Sequence, residues 1–232
     1  MRRKRPKRQP KTTFGKIWYF IWEEDSLASW IVNVILAFVL IKFLVYPGLG
    51  LILDTSHPVV AVVSGSMYHG GDHPCIKKDS TTSECLAYDT NLYFICNKTY
   101  SQKIRKNFDT YWSNCGDWYV DRNITKEEFK KFPMSNGFSK GDIIVLHGYG
   151  APKIGNIIVF NRGKSYPIIH RIVSIDDKQQ ITTKGDHNAD SGDVDININP
   201  NTVIGKAYFK IPYIGYVKIF AVDLLRFLHI IG

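Results

Sequence analysis

Residues 59–70 read VVAVVSGSMYHG. Five apolar, mostly β-branched residues in a row (Val59, Val60, Ala61, Val62, Val63) favour a buried strand over a helix, and Ser64-Gly65-Ser66 marks where that strand ends. Ser66 is therefore expected at a strand edge, beside a glycine that lets backbone approach a substrate closely. A hydroxyl there becomes a nucleophile only when a base takes its proton and nearby donors stabilise the resulting oxyanion. Ser64 offers a second hydroxyl at the same point, and Met67 an unbranched apolar side chain for lining a groove. An ordinary strand-to-turn junction has the same composition, so the rest of the chain must decide.

Short apolar runs typical of strands follow at 142–147 (DIIVLH), 156–160 (NIIVF), 167–175 (PIIHRIVSI), 180–184 and 203–211. The first two resemble each other, KGDIIVL against IGNIIVF, each opened by a glycine. Strands at this spacing, with no long helix between them, predict a mainly β fold: a curled antiparallel sheet or small barrel. We place this β domain at residues 54–67 and 139–212.

The 232 residues carry a formal charge of +9, but residues 1–16 alone hold eight Lys or Arg and no acid, so the body is nearly neutral. Residues 27–53 (LASWIVNVILAFVLIKFLVYPGLGLIL) contain a single charge, Lys42. A bilayer core needs about 20 apolar residues in a helix, so this stretch can span with tilt to spare. It is longer than the apolar part of a cleaved signal peptide, and we read it as an uncleaved anchor. With basic residues before it and no Lys or Arg in 54–73, the positive-inside rule predicts a single-pass protein of the cell membrane, N-terminus cytoplasmic and the rest extracytoplasmic. Residues 1–26 form the cytoplasmic tail, whose aromatic part, 14–22, lies along the inner interface. A basic tail next to a span argues for lipid rather than nucleic acid as its partner.

Residues 68–138 carry all four cysteines, Cys75, Cys85, Cys96 and Cys115, in a stretch poor in alternating runs. We read it as an α+β insert stapled by two disulfides, with three connectivities open. The spacing lacks a C-x-x-C pair, which argues against zinc despite His69 and His73. Asn97 and Asn123 open N-x-[ST] sequons, and Thr125 to Glu128 fit a capping box on a short structural helix. Residues 213–232 are apolar but hold Lys218, Asp223, Arg226 and His229, which favours an amphipathic segment on the outer leaflet over a second span.

Within IIHRIV, His170 is an imidazole in an apolar strand, able to accept the hydroxyl proton and later protonate a departing amine. The run TTKGDHNADSGDVD then supplies Asp186, Asp190, Asp193 and Asp195, one of which could orient the imidazole. An EF-hand fails here: counted from Asp186, Gly192 is seventh instead of sixth and Asn197 stands where Glu should be.

An anchor, then SGSM, GDIIV and GNIIVF, HRIV, TKGDHN and IGKAYFKIPYIGYVKI, in that order, closely resembles type I signal peptidases. The resemblance is to the histidine type of archaea and the endoplasmic reticulum, and covers about residues 27–220 apart from the insert. It implies Ser66 as nucleophile, His170 as general base, and an oxyanion hole from the Ser66 backbone N–H and the Ser64 hydroxyl. No metal or cofactor is called for. The implied substrates are secretory precursors whose signal peptides lie extended along a sheet edge, with a translocation channel as a further candidate partner. The family's second aspartate usually falls six residues after the GD aspartate, which here is Gly192. Asp193 is therefore our expected partner of His170, Asp190 the alternative, and Asp186 a supporting residue. The competing reading is a catalytically inactive, membrane-anchored extracellular binding protein acting through its insert.

Overall fold

The computed structural model describes residues 12–79, 85–163, 166–217 and 220, and divides into two units, Met1–Ile52 and Leu53–Gly232. In the first, α1 (Thr13–Trp22) is capped by the Thr12 side chain, and α2 (Leu27–Leu40) by Ser26. Ser29 Oγ donates to the carbonyl of Phe20 and Asn33 Nδ2 to that of Ile21, joining the two helices through carbonyls left over at the end of α1. The apolar helix runs on through a π-helical turn, Ile41–Val45, into α3 (Tyr46–Leu53). Pro47 accounts for that turn. It has no N–H for the carbonyl four residues back, and the widened turn shifts the register, so that the Tyr46 N–H bonds to Ile41, five residues earlier. Leu27–Leu53 remains one helix of 27 residues with the length and hydropathy of a membrane span. The expected amphipathic segment at 213–232 lies mostly outside the described residues.

The second unit is built on one antiparallel sheet. Its strands are β1 (Val59–Ala61), β6 (Ile143–His147), β7 (Ile157–Phe160), β8 (Ile168–Ile175), β9 (Ile181–Lys184) and β10 (Val203–Ile211), in the order β1-β6-β10-β7-β8-β9. Gly141 and Gly155, just before β6 and β7, have φ of +88° and +89°, which explains the repeated glycine: the tight entry into each strand needs a backbone that side chains disfavour. β7 is buried on both faces. Ile157 and Val159 pack with Val62, Met67, Phe138, Ile144 and Leu146, while Ile158 and Phe160 pack with Ile172, Ile181 and Ile198. Its unbroken apolar run follows from that position.

β1 departs from the expectation of a buried strand running to Val63. It is a three-residue, half-buried edge strand, although Val62 still exchanges main-chain hydrogen bonds with Gly141 and Asp142. Val60 and Val62 pack with the core and, together with Ala61 and Val63, also line a cavity.

Between β1 and β6 lie two ribbons, β2 (Cys75–Lys78) with β3 (Cys85–Tyr88) and β4 (Tyr93–Ile95) with β5 (Lys98–Tyr100), followed by α4 (Phe108–Val120) and α5 (Lys126–Lys131). The Thr125–Glu128 capping box is present at the start of α5. Helix α4 was not expected, because FDTYWSNCGDWYV is rich in residues of middling helix propensity. Its Tyr111, Cys115 and Tyr119, spaced by four, form one buried face with Ile95, Ile124, Phe129 and Val173. The disulfides join Cys75 to Cys85, within the first ribbon, and Cys96 to Cys115, between the second ribbon and α4.

Loop closure over these separations predicts similar entropic terms of about 3 kcal/mol for either bridge. Cys115 is also sealed in a core, at 2% exposure, whereas Cys75 and Cys85 are half-buried. Thermal unfolding of the full chain is expected to show a larger drop in midpoint for C96A/C115A than for C75A/C85A, with a cavity penalty added to the lost bridge.

Candidate catalytic site

Ser66 and His170 are 104 residues apart in sequence but line one cavity of about 240 Å³. One wall is the chain from Val60 through Ser64 and Ser66, the other is Tyr166 to His170 at the start of β8, and Val159 of β7 lies between. β1 and β8 are first and fifth in the sheet. They can share a cavity only because the sheet curls on itself. Ser64 Oγ lies 3.2 Å from Ser66 Oγ.

The acid on His170 is Asp195, not the expected Asp193. His170 Nδ1 is 2.5 Å from Asp195 Oδ1. A carboxylate can only accept, so Nδ1 carries the proton and the other nitrogen, Nε2, is left as the base. The carboxylate is held from three sides: Oδ1 also accepts from Thr183 Oγ1 at 2.6 Å, and Oδ2 from the Gly192 N–H at 3.1 Å. Burial alone would raise the Asp195 carboxyl, but the hydrogen bond and charge of His170, with Thr183 and Gly192, bring it below the usual range.

Motif counting missed this acid because Asp193–Asp195 is a 3-10 turn. The turn brings the third residue, not the first, back under β8 and β9. Asp193 is exposed, and Arg162 binds its backbone carbonyl. Asp190, also exposed, accepts from Trp118 Nε1 and the Ser191 N–H instead. The signal available in the sequence was Asp195 itself, one of the four carboxylates that follow the histidine strand.

Asp186 does not touch His170. Alternation along β8 turns Arg171 to the opposite face, where Nη2 lies 2.8 Å from Asp186 Oδ2 and both side chains are fully buried. His69 Nε2 bonds the same oxygen at 2.8 Å, and the Tyr119 hydroxyl the other at 3.2 Å. Burial works against this carboxylate, but Arg171 and then His69 hold it well below the usual range. His69 is pushed down by burial more than Asp186 pulls it up, and stays neutral. With Nε2–H given to Asp186, its Nδ1 has no partner. Nothing in the sequence around His69 marks it as a partner of Asp186. Among the described residues, no group of three His, Cys, Asp or Glu could hold a metal ion.

The TKGDHN motif lies against both His170 and Ser66. A Cβ on Gly185 would stand 2.8 Å from His170 Nε2, so only glycine lets the loop pass beside the imidazole. Two residues on, the His187 N–H donates to the Ser66 carbonyl at 2.8 Å.

No family model matches the chain. Among curated proteins it is similar to the signal peptidase complex catalytic subunit sec11 of Neurospora crassa, 34% identical over 99 residues, which are 37% of this chain and 57% of the relative. The subunit SEC11 of Chaetomium globosum is 31% identical with the same shares. That of Clavispora lusitaniae is 33% identical over 106 residues, 40% of this chain and 63% of the relative. The chain thus spans about three-fifths of the relatives it matches. They carry the name of the family that the ordered motifs resemble.

The buried network sets a pH dependence of stability. Asp186 is depressed in the folded state, so its contribution is complete above the ordinary carboxylate pKa of about 4 and is lost as pH falls below it. His69, depressed as a base, contributes stability above about 6.5 that is lost on acidification. The unfolding midpoint of the full chain is expected to fall in both windows. Asp186→Ala, which strands a buried guanidinium, is expected to cost about 3–5 kcal/mol near neutral pH and to remove the lower window.

Proposed function

We propose that this chain is a membrane-anchored serine endopeptidase that removes signal peptides from secretory precursors. Ser66 acts as nucleophile, His170 as general base and Asp195 as the acid that orients it. The observation that carries the reading is that Ser66 and His170 line one apolar cavity while a buried carboxylate holds the imidazole's far nitrogen. The similarity to signal peptidase complex catalytic subunits favours the same substrate class.

In this reading Ser66 Oγ attacks the scissile carbonyl carbon as its proton passes to His170 Nε2. The Ser66 N–H and the Ser64 hydroxyl stabilise the oxyanion. When the C–N bond breaks, the imidazolium gives its proton to the departing amine of the mature protein. Water, deprotonated by His170, then hydrolyses the ester on Ser66 and frees the signal peptide's carboxylate. Asp195 stays ionised throughout, stabilising the charged imidazole.

Substrate binding follows from two strand edges. Residues 168–170 of β8 pair with β7, while the pairing with β9 begins at Arg171. β1 pairs with β6 on its other side. An extended peptide entering between them adds main-chain hydrogen bonds, which gives generality, and the shallow apolar walls favour small side chains before the cut. The apolar helix ends thirteen residues before Ser66 and follows a basic tail. We place the N-terminus in the cytoplasm and the site on the outer face, where a precursor emerges from its translocation channel.

In detergent, the full chain is expected to cleave a signal-peptide precursor and Ser66→Ala to show no cleavage. Asp195→Ala should lower kcat by roughly 10³–10⁴-fold, with Asp193→Ala and Asp190→Ala within a few-fold of the wild type. Equal processing by wild type and Ser66→Ala would leave an anchored binding protein instead.

A further inference from the structure

The cysteine-stapled insert also reaches the catalytic loop. We infer that Tyr111 and Tyr119, on α4, are positioning residues for peptide cleavage: their hydroxyls confine the loop 184–188 that sets Ser66 against His170. This rests on the peptidase reading above.

Segment 184–188 (KGDHN) lies against both residues: it passes His170 Nε2 at Gly185, where a Cβ would not fit, and the His187 N–H holds the Ser66 carbonyl. A small displacement of Asp186, which lies between these contacts, would therefore change the separation of nucleophile and base. The insert grips this segment at two carbonyls. The Tyr111 hydroxyl is 2.9 Å from the Asp186 main-chain oxygen, and the Cys96 N–H donates to the His187 oxygen at 3.1 Å. Cys96 is disulfide-bonded to Cys115, which lies one helical turn from each tyrosine on the same face of α4. The bridge thus ties the ribbon's grip to the helix's grip.

The Asp186 carbonyl and carboxylate can only accept, so Tyr119 gives its proton to Oδ1, and Tyr111 shares its one proton between the carbonyl at 2.9 Å and the Tyr119 oxygen at 3.1 Å. Phenylalanine would fill the same space without the cost of burying a hydroxyl, and both hydroxyls are spent on this one residue. His69 completes the link, stacked on the Tyr111 ring at 3.5 Å while bonded to Asp186. Without the hydroxyls, Asp186 still has Arg171, His69 and Lys184. The fold survives such a change, and the loop becomes less confined. Neither tyrosine nor residues 184–188 line the cavity, so substrate binding is largely spared.

The test uses the full chain in detergent with a signal-peptide precursor, comparing wild type, Y111F, Y119F and the double variant. Y100F serves as control, since Tyr100 bonds Asn114 within the same insert and not the loop. Loss of one orienting hydrogen bond is expected to lower kcat about tenfold in Y111F and in Y119F, further in the double variant, with KM within about twofold. Hydrogen–deuterium exchange should quicken in 184–190 and stay unchanged in β6 and β7. Y100F should match the wild type. Wild-type kcat in the double variant, with Ser66→Ala inactive, overturns the inference and leaves the peptidase standing. So does quicker exchange throughout the sheet with kcat per folded molecule unchanged, the signature of a structural role only. Cleavage by wild type no greater than by Ser66→Ala removes the peptidase reading and the inference with it.

Discussion

The hydrogen bond from His170 Nδ1 to Asp195 sets what the rest of the structure must supply. Once one ring nitrogen is committed to a buried carboxylate, the other has a fixed direction, and in the proposed reading the nucleophile has to come to it. The sheet meets that demand by curling until its first and fifth strands share a cavity. The loop after β9 meets it at finer scale, by passing beside the ring at Gly185 and holding the Ser66 carbonyl through His187.

Alternation along β8 divides the labour. His170 faces the cavity, and Arg171, one residue on, faces the insert. A fully buried guanidinium is tolerable because Asp186 and the carbonyls of Pro133, Met134 and Gly155 take up its donors. The ion pair and the orienting acid are thus separate devices built from one acidic run. Asp186 fixes the loop; Asp195 fixes the ring.

Much of this was legible in the sequence where local pattern and fold agree. The runs at 142–147, 156–160, 167–175, 180–184 and 203–211 became strands within a residue or so at each end, and the glycines before the first two sit at positive φ. Ser66 and His170, singled out by chemistry and order of motifs, line one cavity. What failed were features set by tertiary geometry. A count along the chain could not see that a 3-10 turn brings Asp195, rather than Asp193, beneath β8. Helix α4 hid behind middling propensity, its pattern lying in Tyr111, Cys115 and Tyr119. His69, which the cysteine spacing had argued against as a zinc ligand, is a buried partner of Asp186. The disulfide pairing needed coordinates, since the spacing allowed three solutions.

The central claim is that Asp195 holds His170 as the Nδ1–H tautomer. Nitrogen-15 NMR of histidine-labelled full chain in detergent, with His170 assigned by its substitution, measures this directly. The account predicts a His170 ring that carries its proton at Nδ1, with a downfield Nδ1–H proton that Asp193→Asn leaves in place and Asp195→Ala abolishes. A ring protonated at Nε2 instead, or an Nδ1–H signal that survives loss of Asp195, would contradict it.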